Sequence, residues 1–388
     1  MTYVPNKANT EVNVDAAGRT RVSQLVTFFD GKILGADDSL GMENVGTGTG
    51  LYGNNKYQMS VTSGQYLIRR SKMTVPYFVG KGLRIECTFD GFNVEANVEK
   101  SVGYYSSAPS APYNTDLDGF RLHNDGTTIR LQCYRNGTIT ADVPFSQWDN
   151  YEQLASYNWA NFTIATFDFL WLGGSELRLF LKTDSGFIQA HTIGWASDYT
   201  DTFIGSPQKS VRYELRSTTG SGSFRYVCSH AGVDGYYFRN GRGTVAYNTT
   251  GLVCNAVGTT YALKGVKKST SFRDICLAID GGYVVNTGTS DAGIILMLMN
   301  PTLSTPLTYT SNGKILEGEP TSGTTVTNPG RVVWSAPSSS TGGSIALEGY
   351  YMSSVGMTID NVSDEFVLAY LSVTSNQSVH GAIRVKEF

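Results

Sequence analysis

Residues 161–195, NFTIATFDFLWLGGSELRLFLKTDSGFIQAHTIGW, admit few folds. Residues 162–172 are apolar on both faces of an extended chain, with Ile164, Leu170 and Leu172 to one side and Phe167, Phe169 and Trp171 to the other. A strand of that kind must be covered on both sides. Gly173-Gly174-Ser175 then supplies a tight turn, because Gly tolerates the positive φ a hairpin requires. The return strand alternates, which predicts Leu177, Leu179 and Leu181 inward and Glu176, Arg178 and Lys182 toward water. A doubly covered strand feeding a half-covered one describes the centre of a β-sandwich.

The rest of the chain agrees. Forty-three glycines and only 16% charged residues, with many Tyr, Phe, Thr and Val, describe an all-β protein. No run of Ala, Leu, Glu, Lys and Arg has the period of a long helix. A net charge of −3 gives nucleic acid and anionic membranes nothing to hold. The apolar run at residues 294–299 is far short of the about 20 residues that span a bilayer. The opening Met-Thr-Tyr-Val-Pro-Asn is not a secretory leader, so synthesis in a cytoplasm is expected. Cys87, Cys133, Cys228, Cys254 and Cys276 are odd in number, widely spaced and set in strand-like text, and are expected as buried free thiols.

At 388 residues the chain has room for two or three domains of about 100–200 residues. Residues 1–25 are polar without a period and are expected to form an arm. Strand-like runs at 57–61, 65–69, 83–89, 101–106, 120–123, 128–134, 187–192, 211–216 and 224–229 join the central pair. They predict two facing sheets of a jelly-roll over residues 26–240. Asp125-Gly126 and Asn136-Gly137 are hairpin signals, whereas residues 46–55, GTGTGLYGNN, read as loop. Further runs at 259–264, 276–279, 294–300, 331–335, 345–351 and 366–373 predict a smaller β-sandwich domain over 241–388.

Catalysis finds no foothold in this text. Retaining β-glucanases with a concanavalin-like sandwich carry acids at alternate positions of one strand, because the mechanism needs two carboxylates about 5–5.5 Å apart. Here Asp168 has Thr166 and Leu170 at those positions, and neither ionises. Asp168 therefore reads as a hydrogen-bonded strand residue. Residues 95–100 read as a solvated edge, and Arg69-Arg70-Ser71-Lys72 as a salt-bridged strand end. The four histidines are scattered, Cys228 and His230 are too few for zinc, and residues 46–50 have no helix to make a phosphate loop. No catalytic, cofactor or metal residues are assigned. Exposed aromatics are the remaining candidates: Trp148, Trp159 and Trp195 as platforms for glycan, or as packing under the sandwich.

One resemblance runs the length of the chain. Asp15-Ala16-Ala17-Gly18-Arg19-Thr20-Arg21-Val22-Ser23 followed by Phe28-Phe29-Asp30 resembles an N-terminal signature of virion structural proteins of tailed bacteriophages. Arg70-Ser71-Lys72 with Gly80-Lys81, Phe167-Asp168-Phe169 with Trp171-Leu172-Gly173, and Ser206-Pro207 before Val211-Arg212-Tyr213-Glu214 also look like that group. So do Asn300-Pro301-Thr302-Leu303 and the closing residues 383–388. Ala17 stands where the group often has Phe, and Leu170 where it often has Glu. The resemblance implies a jelly-roll/concanavalin-like virion component without enzymatic activity, as head decoration, head fibre or part of the tail adsorption apparatus. Its expected partners are copies of itself, with a trimer favoured, and other virion proteins. A host-surface carbohydrate-binding module is the alternative, and a glycoside hydrolase the remote one.

Overall fold

A computed structural model describes residues 25–33, 41–195, 200–234, 242–248, 251–287, 292–339, 342–346, 353–374 and 376–388. The expected arm, with the signature at Asp15 to Ser23, lies outside them except for Leu25. The chain divides into two compact units, Met1–Tyr237 and Phe238–Phe388.

Alternation builds the first unit. In VRYELRS, Val211, Tyr213 and Leu215 enter the core while Arg212, Glu214 and Arg216 take the opposite face. Among the described residues, one antiparallel sheet runs β13 (Gly186–Gly194), β12 (Glu176–Thr183), β11 (Thr163–Leu170), β6 (Leu83–Asp90), β15 (Gly222–Asp234), β4 (Lys56–Val61) and β3 (Thr49–Gly53). An eighth strand, β1 (Leu25–Lys32), also pairs with β15. The other sheet has seven strands: β10 (Thr138–Pro144), β9 (Ile129–Arg135), β8 (Asp118–Asn124), β7 (Val98–Ser106), β14 (Val211–Ser217), β5 (Tyr66–Ser71) and β2 (Met42–Gly46). The chain crosses between sheets after β1, β2, β4, β5, β6, β10, β13 and β14, which is the weave of a jelly-roll sandwich.

Aromatic side chains fill the space between the sheets. Phe167 and Phe169 of β11 stand 5.3 and 5.0 Å from Phe120 of β8, ring centre to ring centre, and Phe89 of β6 meets Tyr213 of β14 at 6.4 Å. Each such ring contributes about 1.5–3 kcal/mol by leaving water. The Asn136-Gly137 turn forms as its text predicts, both residues having positive φ between β9 and β10.

Three expectations about individual residues are corrected. Residues 49–53 are not loop but strand β3, paired with β4 through a turn in which Asn54 and Asn55 take positive φ. Arg178 does not face water: it is buried, with Nη2 3.3 Å from Asp168 Oδ2. Residues 95–100 are not a solvated edge at their end, because Lys100 is fully buried. Its ammonium donates to the carbonyls of Gly91 (2.7 Å) and Asn93 (3.0 Å) and pairs with Glu95 (3.0 Å). In each case short-range text was outvoted by a cross-strand or loop partner. The five cysteines are free, and all but Cys228 are buried.

The second unit is a smaller sandwich. One sheet runs β16 (Arg242–Tyr247), β29 (Gln377–Glu387), β19 (Leu277–Asn286) and β26 (Gly342–Ala346), with β17 (Leu252–Cys254) on β29 and β27 (Ser353–Ser354) on β19. The other runs β22 (Thr308–Asn312), β23 (Ile315–Glu319), β18 (Thr260–Lys268), β28 (Glu365–Ser372), β20 (Gly293–Met299) and β25 (Arg331–Ser338). A small ribbon joins β21 (Thr302–Leu303) to β24 (Val326–Asn328). Leu263, Ile279, Ile295, Met297, Phe366, Leu368 and Ile383 form its core. No helix among the described residues is long and apolar enough to cross a membrane.

Candidate functional site

A sandwich sheet ordinarily presents its outer face to water. The outer face of the seven-stranded sheet is polar, as expected, yet largely buried. Strand register lays one row straight across it: Asp142, Gln132, Arg121, Gly103, Arg212, Arg70 and Glu43, from β10 to β2. The next row holds Arg130, His123, Ser101 and Glu214. Gly103 is required in the first row, because a Cβ there would lie 2.3 Å from the Phe120 carbonyl oxygen.

Glu214 is the hub. Its Oε2 forms an ion pair with Arg212 Nη2 at 2.6 Å and accepts from the Tyr105 hydroxyl at 3.2 Å, and its Oε1 accepts from Arg216 Nε. Burial alone would raise the Glu214 pKa, but Arg212, Arg216 and Arg121 outweigh it and hold the carboxyl down at about 2. Arg70 is matched separately to Glu43 at 2.6 Å. Arg121 donates only to neutral acceptors: Gln132 Oε1 (3.1 Å), Ser101 Oγ (3.3 Å) and the Tyr134 hydroxyl (3.1 Å). His123 sits 3.0 Å from Ser101 Oγ through Nδ1. Burial, helped by Arg121, pushes its pKa down to about 3, so the ring is neutral at ordinary pH.

A strap, residues 107–117, folds over this face. Arg212 holds it through Ser107 Oγ (2.8 Å) and the Tyr113 carbonyl (2.7 Å), and Arg216 through the Pro112 carbonyl. Leu117 packs with Tyr105 and Tyr134, and the Tyr113 ring meets Tyr66 at 6.2 Å.

The tryptophans expected as glycan platforms lie elsewhere, and this is a correction. Trp148, Trp159 and Trp195 are only 3%, 8% and 4% exposed and belong to the hydrophobic core. Trp148 and Trp159 pack edge-on at 6.2 Å, each against Phe145, and the Trp148 indole donates to the Val143 carbonyl. Trp195 packs on Phe203 and donates to the Asp201 carbonyl. For Trp148 and Trp195 a large ring with its one donor satisfied is more stable inside than as a platform, and Trp159 is held inside by its ring contacts. Asp168 stands on the other sheet, beside Arg178 and opposite Arg84 in register. Sequence reasoning missed Arg121, Gln132, Tyr134 and the roles of Arg212 and Arg216. The alternating R-x-E-x-R of residues 212–216 was the available signal. Among the described residues, no three His, Cys, Asp or Glu side chains gather to hold a metal ion.

No family model matches this chain. No curated protein matches it either. Among solved structures, the carbohydrate recognition domain of Emp47p is similar at 8% identity and a TM-score of 0.38, covering 55% of this chain and 98% of that one. A Bacillus licheniformis β-glucanase is similar at 15% identity and 0.36, covering 52% and 96%. Arcelin-5, a lectin-like defense protein from Phaseolus vulgaris, is similar at 9% identity and 0.36, covering 53% and 97%. By its own strand order the described chain is all-β, a jelly-roll sandwich followed by a smaller β-sandwich.

Proposed function

We propose that this chain is a non-enzymatic virion protein whose first sandwich binds carbohydrate at the outer face of its seven-stranded sheet. One observation carries the binding reading: beneath the strap, Gln132, Arg121 and Arg212 form a row of planar, forked polar groups beside the rings of Tyr105 and Tyr134, a buried set that the strap must uncover to admit a sugar. Sugar hydroxyls take forked donors and acceptors, and sugar faces take aromatic rings. The same face argues against hydrolysis. Glycoside cleavage needs a carboxylic acid that can give up a proton near neutral pH and a second carboxylate about 5–9.5 Å away. Glu214 is fixed as a carboxylate, and Asp168 belongs to the other sheet.

The virion reading rests on the resemblance at residues 15–23 and the matches that follow it in order. A purely structural role, assembling through subunit contacts, is the second reading. It is favoured by an apolar stripe on the second unit, where Val245, Tyr247, Tyr283 and Val285 stand 47%, 60%, 39% and 51% exposed.

A glycan array with the purified chain, beside a Gln132→Ala variant, tests the binding half. Signal on a defined set of sugars that drops in the variant is expected, and silence across the array rejects it. Mass spectra of intact particles and light scattering test the other half. A chain that is monomeric and missing from particles is not a virion component.

A further inference from the structure

The geometry points to an anion subsite beneath the strap, so we infer that the sugar this face takes is an acidic one, bearing a carboxylate. The inference rests on the carbohydrate-binding reading and adds the class of saccharide.

The count of charges leads there. Among the described residues, three buried guanidiniums, Arg70, Arg121 and Arg212, and the half-buried Arg216 share this face with two buried carboxylates, Glu43 and Glu214. Glu43 is committed to Arg70, and both oxygens of Glu214 are taken by Arg212, Arg216 and Tyr105. Asp125 and Asp142, nearer the rim, flank Arg130 at 2.9 and 3.2 Å. Glu99, opposite Arg216 in register, makes no ion pair among the described residues. Arg121 is thus a buried cation that, among the described residues, hydrogen-bonds neutral groups alone and meets Glu214 only at longer range, whereas buried charges are ordinarily paired directly.

The strap shows what kind of atom the site accepts. Each contact it makes with Arg212 and Arg216 puts a neutral oxygen, from Ser107, Pro112 or Tyr113, on a guanidinium N–H. Arg212 Nε is buried with no acceptor at all. A ligand carboxylate makes shorter, charge-assisted bonds to the same groups, roughly twice as strong as those of a neutral acceptor. It would therefore displace the strap oxygens, where a neutral sugar would only match them. Rings keep the forks in place: Arg212 lies 4.8 Å from the Tyr105 ring centre and Arg121 lies 5.1 Å from that of Tyr134.

The test is an array of matched oligosaccharide pairs, each with the same backbone in a uronic acid form and in its carboxyl-reduced neutral form. It is probed with the full chain, with Arg216→Gln, and with a variant in which residues 110–114 are replaced by two glycines. The expected result is an acidic member bound about tenfold tighter than its neutral partner, a preference that shrinks in Arg216→Gln and with added salt. The shortened strap should bind the acidic member tighter still. That variant keeps every residue of the sheet, so it decides the matter even where Arg216→Gln fails to fold. Equal binding of both members overturns the anion subsite and leaves the carbohydrate reading standing. Binding of no sugar removes both. An acidic preference unchanged by the shortened strap overturns the competition between strap and ligand.

Discussion

The two outer faces of the first sandwich handle buried charge differently. On the eight-stranded sheet, Asp168 faces Arg178, and Arg178 also reaches Glu176 at 3.3 Å near solvent. On the seven-stranded sheet, one carboxylate, Glu214, answers two guanidiniums directly and a third at longer range, under a strap that shuts water out. The first arrangement has a spare partner and the second has none. One acid answering several bases is therefore the more fragile arrangement, and the one to which the proposed anion subsite belongs.

Glu214→Leu should show the contrast most strongly. It leaves Arg212 buried and Arg216 half-buried without their carboxylate, and a loss of about 3–5 kcal/mol in urea unfolding is expected. A loss below about 1 kcal/mol would mean that the face is wetter than its burial implies.

Acid comes next. Glu214 has its folded pKa depressed from 4.5 to about 2, so its contribution is complete above the ordinary value and is lost as pH falls through that window. His123, depressed from 6.5 to about 3, acts in the same direction, since the unfolded chain takes up a proton first as pH drops below 6.5. Stability should fall on acidification, by on the order of 3 kcal/mol for Glu214 alone. Thermal melts from pH 7 to pH 2 measure it, and a flat profile would sink the ionised-hub description.

Asp168→Asn should cost least, about 1–2 kcal/mol, because Asn keeps a hydrogen-bond acceptor for Arg178 and Glu176 keeps a charge beside it. A cost equal to that of Glu214→Leu would erase the distinction between the faces.

Much of this was written in alternation. The central hairpin, the core role of Phe167 and Phe169, and the strand at residues 211–216 follow from period two and from turn glycines. Strand β29 alternates just as plainly in QSVHGAIRVKE, where Val379, Ile383 and Val385 point inward, yet no run was expected there. What could not be read was what lies over a face. Arg178 and Arg212 have the text of solvated residues, and their burial depends on partners or a strap distant in sequence. Trp148 and Trp159 fail in the opposite sense, since their polar, loop-like surroundings hide rings that pack on one another.

Lys100 illustrates a further consequence of burying charge. Its ammonium sits among two backbone carbonyls and a carboxylate, a cage of oxygens of the kind a loop offers to a dissolved cation. Here the cation is tethered by a covalent chain. The bend at residues 91–95 that it gathers is therefore indifferent to chelators, dilution or ion supply, and its shape is inherited with the sequence rather than borrowed from the medium.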